Sequence, residues 1–288
     1  MLAETVKDIG KLTFRFVASL ASSIPGPVRG LIVDVCAFFF YVFSPGKRRN
    51  VKENIEATGG VATRRAVYGP FRLHTTNIVE MFASSRWNDE TIRDWFTFEG
   101  REELNRALAE GRGAVLVTGH IGSWELGARH LQSLGYNMHV VAGVQMNRLL
   151  TGAVKEAKEL RGIEVINPDN ASRKILKVFQ SNGILALLVD GNVYTGGVER
   201  PLFGRLARVP DGPVRLAKAS GAPIVGGYCR RIGNERFAIH IEAIVSARDI
   251  KALSDEESLA KVYGAFERYV RENADQWCIF RSIWGARQ

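Results

Sequence analysis

Cysteine is scarce in this chain. There are three, Cys36, Cys229 and Cys278, far apart and odd in number. That excludes a disulfide framework and points to a reducing compartment. No group of Cys and His has metal-ligand spacing, so no structural zinc is expected. A long uncharged apolar run is missing too. The most apolar uncharged run of the N-terminal stretch, Val35 to Ser44, falls well short of the ~20 residues that span a bilayer. A small-residue cleavage site after a single apolar core is also absent, which argues against a cleaved signal peptide. No internal repeat or low-complexity tract appears. Acidic residues are outnumbered, leaving a net charge of +9. The chain therefore favours acidic partners such as anionic lipid or an acidic carrier protein or cofactor. Lys47-Arg48-Arg49 and Arg230-Arg231 are only short basic clusters. No basic stripe is interleaved with aromatics, so nucleic acid is not an expected partner.

What is present is a full core and a crowded N-terminus. The apolar fraction is 46%, and the length fits one large domain with an N-terminal extension. Phe14, Phe16, Phe38, Phe39, Phe40 and Phe43 crowd the stretch from Leu12 to Phe43, which Pro25 and Pro27 split. Two helices fit there, over 6–22 and 28–43. The cluster of large aromatics favours the membrane interface over packing on the rest of the protein. Basic residues at 47–52 would then meet anionic lipid. The division expected is 1–46 for membrane association and 47–288 for an α/β domain.

Residues 62–84 have helical periodicity, and His74 reads as a packed residue on or beside the apolar stripe. From residue 96 the chain alternates. Strands are expected at 96–99, 114–118, 138–143, 164–166, 184–190, 223–228 and 237–244. Helices are expected at 101–110, 125–134, 149–160, 172–181, 213–220 and 254–273, the last with Ser254 and Glu257 as a capping box. Near-continuous apolar strands separated by helices predict an α/β fold, a mainly parallel central sheet covered by helices on both faces.

The strand Ala114 to Thr118 runs into Gly119-His120, and Glu125 follows five positions later. Strand, tight turn and helix start would hold an imidazole at the mouth of the sheet with a carboxylate facing it. A His held by a carboxylate is a general base. An isolated pair of this kind is more often a loop His with a backbone partner; the strand before, the glycine turn and the helix after are what favour the catalytic reading here.

Gly119-His-Ile-Gly-Ser-Trp-Glu-Leu-Gly127 resembles the signature of the bacterial lipid A late acyltransferases, whose relatives include phosphatidylinositol mannoside acyltransferase, within the glycerolipid acyltransferase superfamily. Four further segments agree in order: Arg48 to Asn54, Gly183 to Asp190, the glycine-rich loop Gly196 to Gly204, and Pro210 to Val225. The chain departs from the family at Gly191, where a Gln is common, and at Gln145, where many members carry Arg. The resemblance implies an O-acyltransferase that moves a fatty acyl group from acyl carrier protein or coenzyme A thioester to a hydroxyl of a membrane glycolipid such as a lipid A precursor. It implies no cofactor beyond the acyl donor, and a place on the cytoplasmic face of a bacterial inner membrane. Another lipid acceptor, or a catalytically silent membrane-bound scaffold, are the alternatives. In this reading His120 is the general base and Glu125 holds its other ring nitrogen. The backbone N–H groups near Gly122 and Ser123 are oxyanion donors, with Arg148 or a glycine-loop amide as alternatives. Glu199 binds acceptor hydroxyls or pairs with Arg200 or Arg205. Asp190 stands at the site or caps a turn. Arg208 and Arg215 bind phosphate or remain solvated.

Overall fold

Ala114–Thr118 carries no charge and is rich in β-branched residues, and it forms the buried strand β2 inside the main sheet. The structure, a computed structural model, describes residues 19, 23–84, 87–141, 155, 156, 158, 159, 161–167, 171–190 and 196–284. Around β2 lie β1 (Phe96–Glu99), β3 (Met138–Val141), β4 (Glu164–Ile166), β5 (Ile184–Leu188), β8 (Ile224–Gly233) and β9 (Arg236–Val245). They form a seven-stranded sheet in the order β1-β9-β8-β2-β5-β3-β4. Every neighbouring pair is parallel except the hairpin β8–β9.

Alternation along β2 divides the core. Val115 and Val117 enter one apolar layer with α7 (Ala171–Gln180), α8 (Gly212–Ser220) and α10 (Asp255–Glu272). Ala114 and Leu116 enter another with α5 (Arg101–Leu108) and α6 (Trp124–Ser133). Side chains of successive strand residues point to opposite faces, so helices cover the sheet on both. The expected α/β class is the observed one. The capping box at α10 forms, with Ser254 N–H donating to Glu257 Oε2 at 2.8 Å and Glu257 N–H donating to Ser254 Oγ at 3.2 Å.

Two stretches differ from expectation. The glycine-rich loop is mostly a hairpin, β6 (Val198–Leu202) and β7 (Arg205–Val209). Phe203 and Gly204 turn it with φ of +50° and +75°, the pair of left-handed residues that a two-residue hairpin turn requires. The basic stretch after residue 44 is helix α2 (Pro45–Ala57), started by Pro45 in its first turn.

Before it, α1 (Gly26–Val42) covers most of the second expected apolar helix. The first, over 6–22, lies outside the described residues apart from Ser19, and so does most of 149–160. Helix α1 buries Val33 and Ala37 but exposes Leu31, Phe38 and Phe39, and Phe43 just after it is exposed too. Its inner aromatics pack on α3 (Arg64–Ala83), with Phe40 and Phe71 rings 4.8 Å apart. Helices α1 and α2 meet at a bend of 93°, and no single helix among the described residues is long and apolar enough to cross a membrane. The remaining helices are α4 (Asp89–Asp94) and α9 (Asp249–Ala252).

Candidate active site

Strand register assembles the site. Strands β2 and β5 are parallel neighbours with Thr118 opposite Leu188, and Val189 N–H donates to Thr118 O at 2.8 Å. His120 and Asp190 therefore emerge side by side at the C-terminal ends of adjacent strands, the edge where open α/β sheets hold their sites. His120 N–H donates to Asp190 Oδ2 at 2.6 Å, and Nδ1 of the His120 ring lies 2.8 Å from Asp190 Oδ1. Trp277 Nε1–H donates to Oδ2 at 3.1 Å.

Asp190 is fully buried. Burial opposes its charge, but His120, through its positive charge and two hydrogen bonds, and the Trp277 indole more than offset that. The Asp190 carboxyl is held below the usual carboxylate range. It is ionised at neutral pH and can only accept, so Nδ1 of His120 carries the proton. In the neutral ring Nε2 is then the unprotonated nitrogen, on a side chain that keeps 27% of its surface exposed. The Trp124 ring stands edge-on, 5.0 Å from the imidazole.

This arrangement does not place Glu125 on the His120 ring. Among the described residues the carboxylate on the His120 ring is that of Asp190. Glu125, in the first turn of α6, pairs with Lys158 Nζ at 3.0 Å.

The backbone donors expected near Gly122 and Ser123 are also taken. Gly122 N–H donates to Gln276 O at 2.9 Å, and Ser123 N–H donates to Cys229 O at 2.8 Å. They hold the loop rather than standing open to an oxyanion. Asn77 of α3 donates to Gly122 O at 2.6 Å and accepts from Ser123 Oγ at 3.1 Å. Arg231 bridges Glu80 and Ser123 Oγ. From the other side, Cys278 N–H donates to His120 O at 2.8 Å. The C-terminal segment is itself held by α2, where Asn54 donates to Ile279 O and Arg281 O.

The loop leaves no room for a side chain at residue 122. Gly122 has φ of +60°, and a Cβ there would stand 2.0 Å from Cys229 O. Gly122→Ala is expected to destabilise the fold by more than the ~1–2 kcal/mol of a left-handed alanine. Denaturant unfolding checks it, and an unmoved midpoint would mean that the loop has slack.

The other expected residues lie apart from this centre. Glu199 and Arg208 face each other across β6 and β7, both exposed. Arg200 pairs with Glu256 and Arg205 with Glu53, so Glu199 takes neither as its partner. Arg215 is exposed on α8 and pairs with Asp211 at 3.8 Å. No hydrogen bond or ion pair among the described residues joins Glu199, Arg208 or Arg215 to the His120 loop. Arg148 lies outside the described residues. Trp277, Asn77 and Arg231 were not anticipated. They reach the loop from remote segments, and local spacing carries no sign of such contacts.

The family model for bacterial lipid A biosynthesis acyltransferase matches residues 11–285. The phosphatidylinositol mannoside acyltransferase of Mycobacterium tuberculosis (strain H37Rv) is 29% identical over 190 residues, which is 64% of this chain and 58% of that protein. Its counterpart from Mycolicibacterium smegmatis is 28% identical over 170 residues, 57% of this chain and 55% of the relative. The lipid A biosynthesis palmitoleoyltransferase of Escherichia coli K12 is 39% identical over 59 residues, 20% of this chain and 19% of that protein. The matches to the mycobacterial proteins thus span little more than half of those relatives' length. With the family model matched over nearly the whole sequence, this chain belongs to the bacterial lipid A biosynthesis acyltransferase family.

Proposed function

We propose that this protein is an O-acyltransferase that moves a fatty acyl group from an acyl thioester, on acyl carrier protein or coenzyme A, to a hydroxyl of a membrane glycolipid. The observation that carries the reading is the His120 ring, with Nδ1 on a buried, ionised Asp190, which leaves Nε2 of the neutral ring as the free acceptor. An acceptor hydroxyl is a poor nucleophile at neutral pH. Nε2 takes its proton as the oxygen attacks the thioester carbon, a contribution of about 10²- to 10⁴-fold. A C–O bond forms, the C–S bond breaks, and the imidazolium returns the proton to the leaving thiolate. Asp190 stabilises the imidazolium in between. The thioester is already activated, so no serine or cysteine nucleophile is required. Burial pushes the Cys229 thiol up to about 12 and raises that of Cys278 as well, which suits neither to attack.

The mannoside and lipid A substrates in the relatives' names support a glycolipid acceptor. A polar cavity of about 460 Å³ under α1, lined in part by Arg29, Arg72, Glu80, Arg231 and Glu235, offers room for a polar headgroup. The outer face of α1 lies in the headgroup region of a bacterial inner membrane, on the cytoplasmic side where the acyl donors are, and Lys47 to Lys52 meet anionic lipid.

Mass spectrometry of lipids from cells with and without the protein tests the reaction. One glycolipid should lose an acyl chain's mass when the protein is absent; an unchanged lipid profile would sink the proposal. The membrane placement has its own check. Phe39 and Phe43 are 51% and 75% exposed. Phe39→Asp with Phe43→Asp should weaken co-sedimentation with anionic vesicles more than tenfold, since each buried aromatic contributes about 1.5–3 kcal/mol. Unchanged binding would place the membrane contact elsewhere.

A further inference from the structure

Of the expected oxyanion donors, the N–H groups of Gly122 and Ser123 are bonded to Gln276 O and Cys229 O, and Arg148 lies outside the described residues. One side chain near His120 has an open donor and no assigned task. His74 lies on α3, one turn before Asn77, which holds Gly122 O. Its ring packs edge-on against Phe280, with centroids 5.1 Å apart. Two residues before Phe280, Cys278 holds His120 O, and its thiol reaches Pro70 O on α3. His74 is thus tied to the His120 loop along two paths, through Asn77 on its own helix and through Phe280 and Cys278, and the charge of His120 acts on its ring.

We propose that His74 is a second catalytic imidazole, an uncharged Nε2–H donor to the thioester oxygen as it becomes an oxyanion. This rests on the acyltransferase reading. Nδ1 of His74 is shut away from solvent without a partner, beside Phe40 and Phe280. A buried orphan N–H is rarer than a buried orphan acceptor, so the proton sits on Nε2. That nitrogen has no hydrogen-bond partner among the described residues and is the open polar edge of the ring. Burial, with the charges of His120 and Lys47, lowers the His74 pKa to about 4. The ring therefore stays neutral at working pH. It neither competes with His120 for the substrate proton nor repels the imidazolium that forms there. A neutral imidazole acting as an electrophile has precedent in enzyme chemistry.

The balance is simple. The acceptor oxygen attacks the carbonyl carbon, His120 Nε2 takes its proton, and the carbonyl oxygen gains the negative charge. His74 donates a hydrogen bond to that charge and transfers no proton. When the C–S bond breaks, the carbonyl re-forms and the thiolate is protonated from His120.

Hydrolysis of palmitoyl-CoA by the full-length protein, followed as thiol release, isolates this step from the acceptor. Losing an oxyanion donor costs about 10²- to 10³-fold in kcat. His74→Phe, whose ring suits the pocket with Phe40 and Phe280, should lose about 100-fold in kcat with KM within about twofold. His74→Gln keeps an N–H donor and should recover at least about tenfold of that loss. Should the Phe variant lose its fold in a thermal melt, His74→Leu serves as the donor-free comparison. The proposal is overturned if a folded donor-free variant keeps kcat within about twofold of wild type, or if Gln and Phe lose equally. A wild type no faster than His120→Ala would remove the acyltransferase reading itself, and the donor role with it.

Discussion

His120→Ala is expected to lower acyl transfer by about 10⁴-fold, the upper end of what a positioned general base supplies. That factor is about 5.5 kcal/mol of transition-state stabilisation. No other described group on the loop can take the hydroxyl proton, since Glu125 is paired with Lys158 and Asp190 is buried behind the ring. The fold should survive, because the backbone bonds of the loop to Gln276, Cys229 and Cys278 do not involve the imidazole. The variant should show a second, independent sign. His120 is the largest influence holding the Asp190 carboxyl below its ordinary value of 3.8. A depressed carboxylate pKa gives stability that is present above the ordinary value and is lost as pH falls through the folded value. Without the ring the Asp190 pKa rises, so acid unfolding should begin at higher pH than in wild type. Single-turnover thioester consumption reads the first effect, and acid titration followed by circular dichroism reads the second. Retained turnover in a folded His120→Ala protein would remove His120 from the chemistry.

How much of this centre the sequence carries depends on how far apart in the chain its parts lie. The apolar runs at 114–118 and 184–190 have the composition of buried parallel strands, and glycine or charge ends each one. Both strands, and the residues that follow them, are therefore readable. The pairing of His120 with Asp190 is not. It arises from the register of β2 against β5, a contact across 70 residues, whereas spacing along the chain offers Glu125 first. Glu125 starts α6, and a described lysine, Lys158, takes its carboxylate. The hairpin β6–β7 buries Leu202, Ala207 and Val209, but in the sequence the flanking glycines dominate the local pattern and suggest a loop. Helix α2 is masked by its charge; the start signal is Pro45, which fits a first helical turn. Trp277 and Asn77 reach the loop only through the closing of the C-terminal segment and α3 onto it, which no local periodicity encodes.

Asp190→Asn should cost nearly as much as losing His120 itself, about 10³- to 10⁴-fold in kcat, by the tautomer effect seen when a triad carboxylate becomes an amide. The substitution keeps shape and volume, so the reason is directional. Oδ2 accepts two N–H donors, from the His120 backbone and the Trp277 indole. An asparagine must present its one carbonyl oxygen to those donors or leave both unpaired in a buried site. Its NH₂ group then faces Nδ1 of His120. Nδ1 must become the acceptor, and the ring proton moves to Nε2, the atom that should receive the acceptor's proton. Glu125→Gln makes no such change. It weakens the pair with Lys158 and acts through the stability of that contact, so its loss of kcat should stay below about tenfold, since the ~10²-fold or greater contribution of general-base catalysis is left in place. Nitrogen-15 shifts of the His120 ring would read the tautomer directly, with Nε2 protonated in Asp190→Asn and unprotonated in both wild type and Glu125→Gln. Equal losses of kcat in the two variants, or an unchanged ring tautomer in Asp190→Asn, would return the role of histidine partner to Glu125.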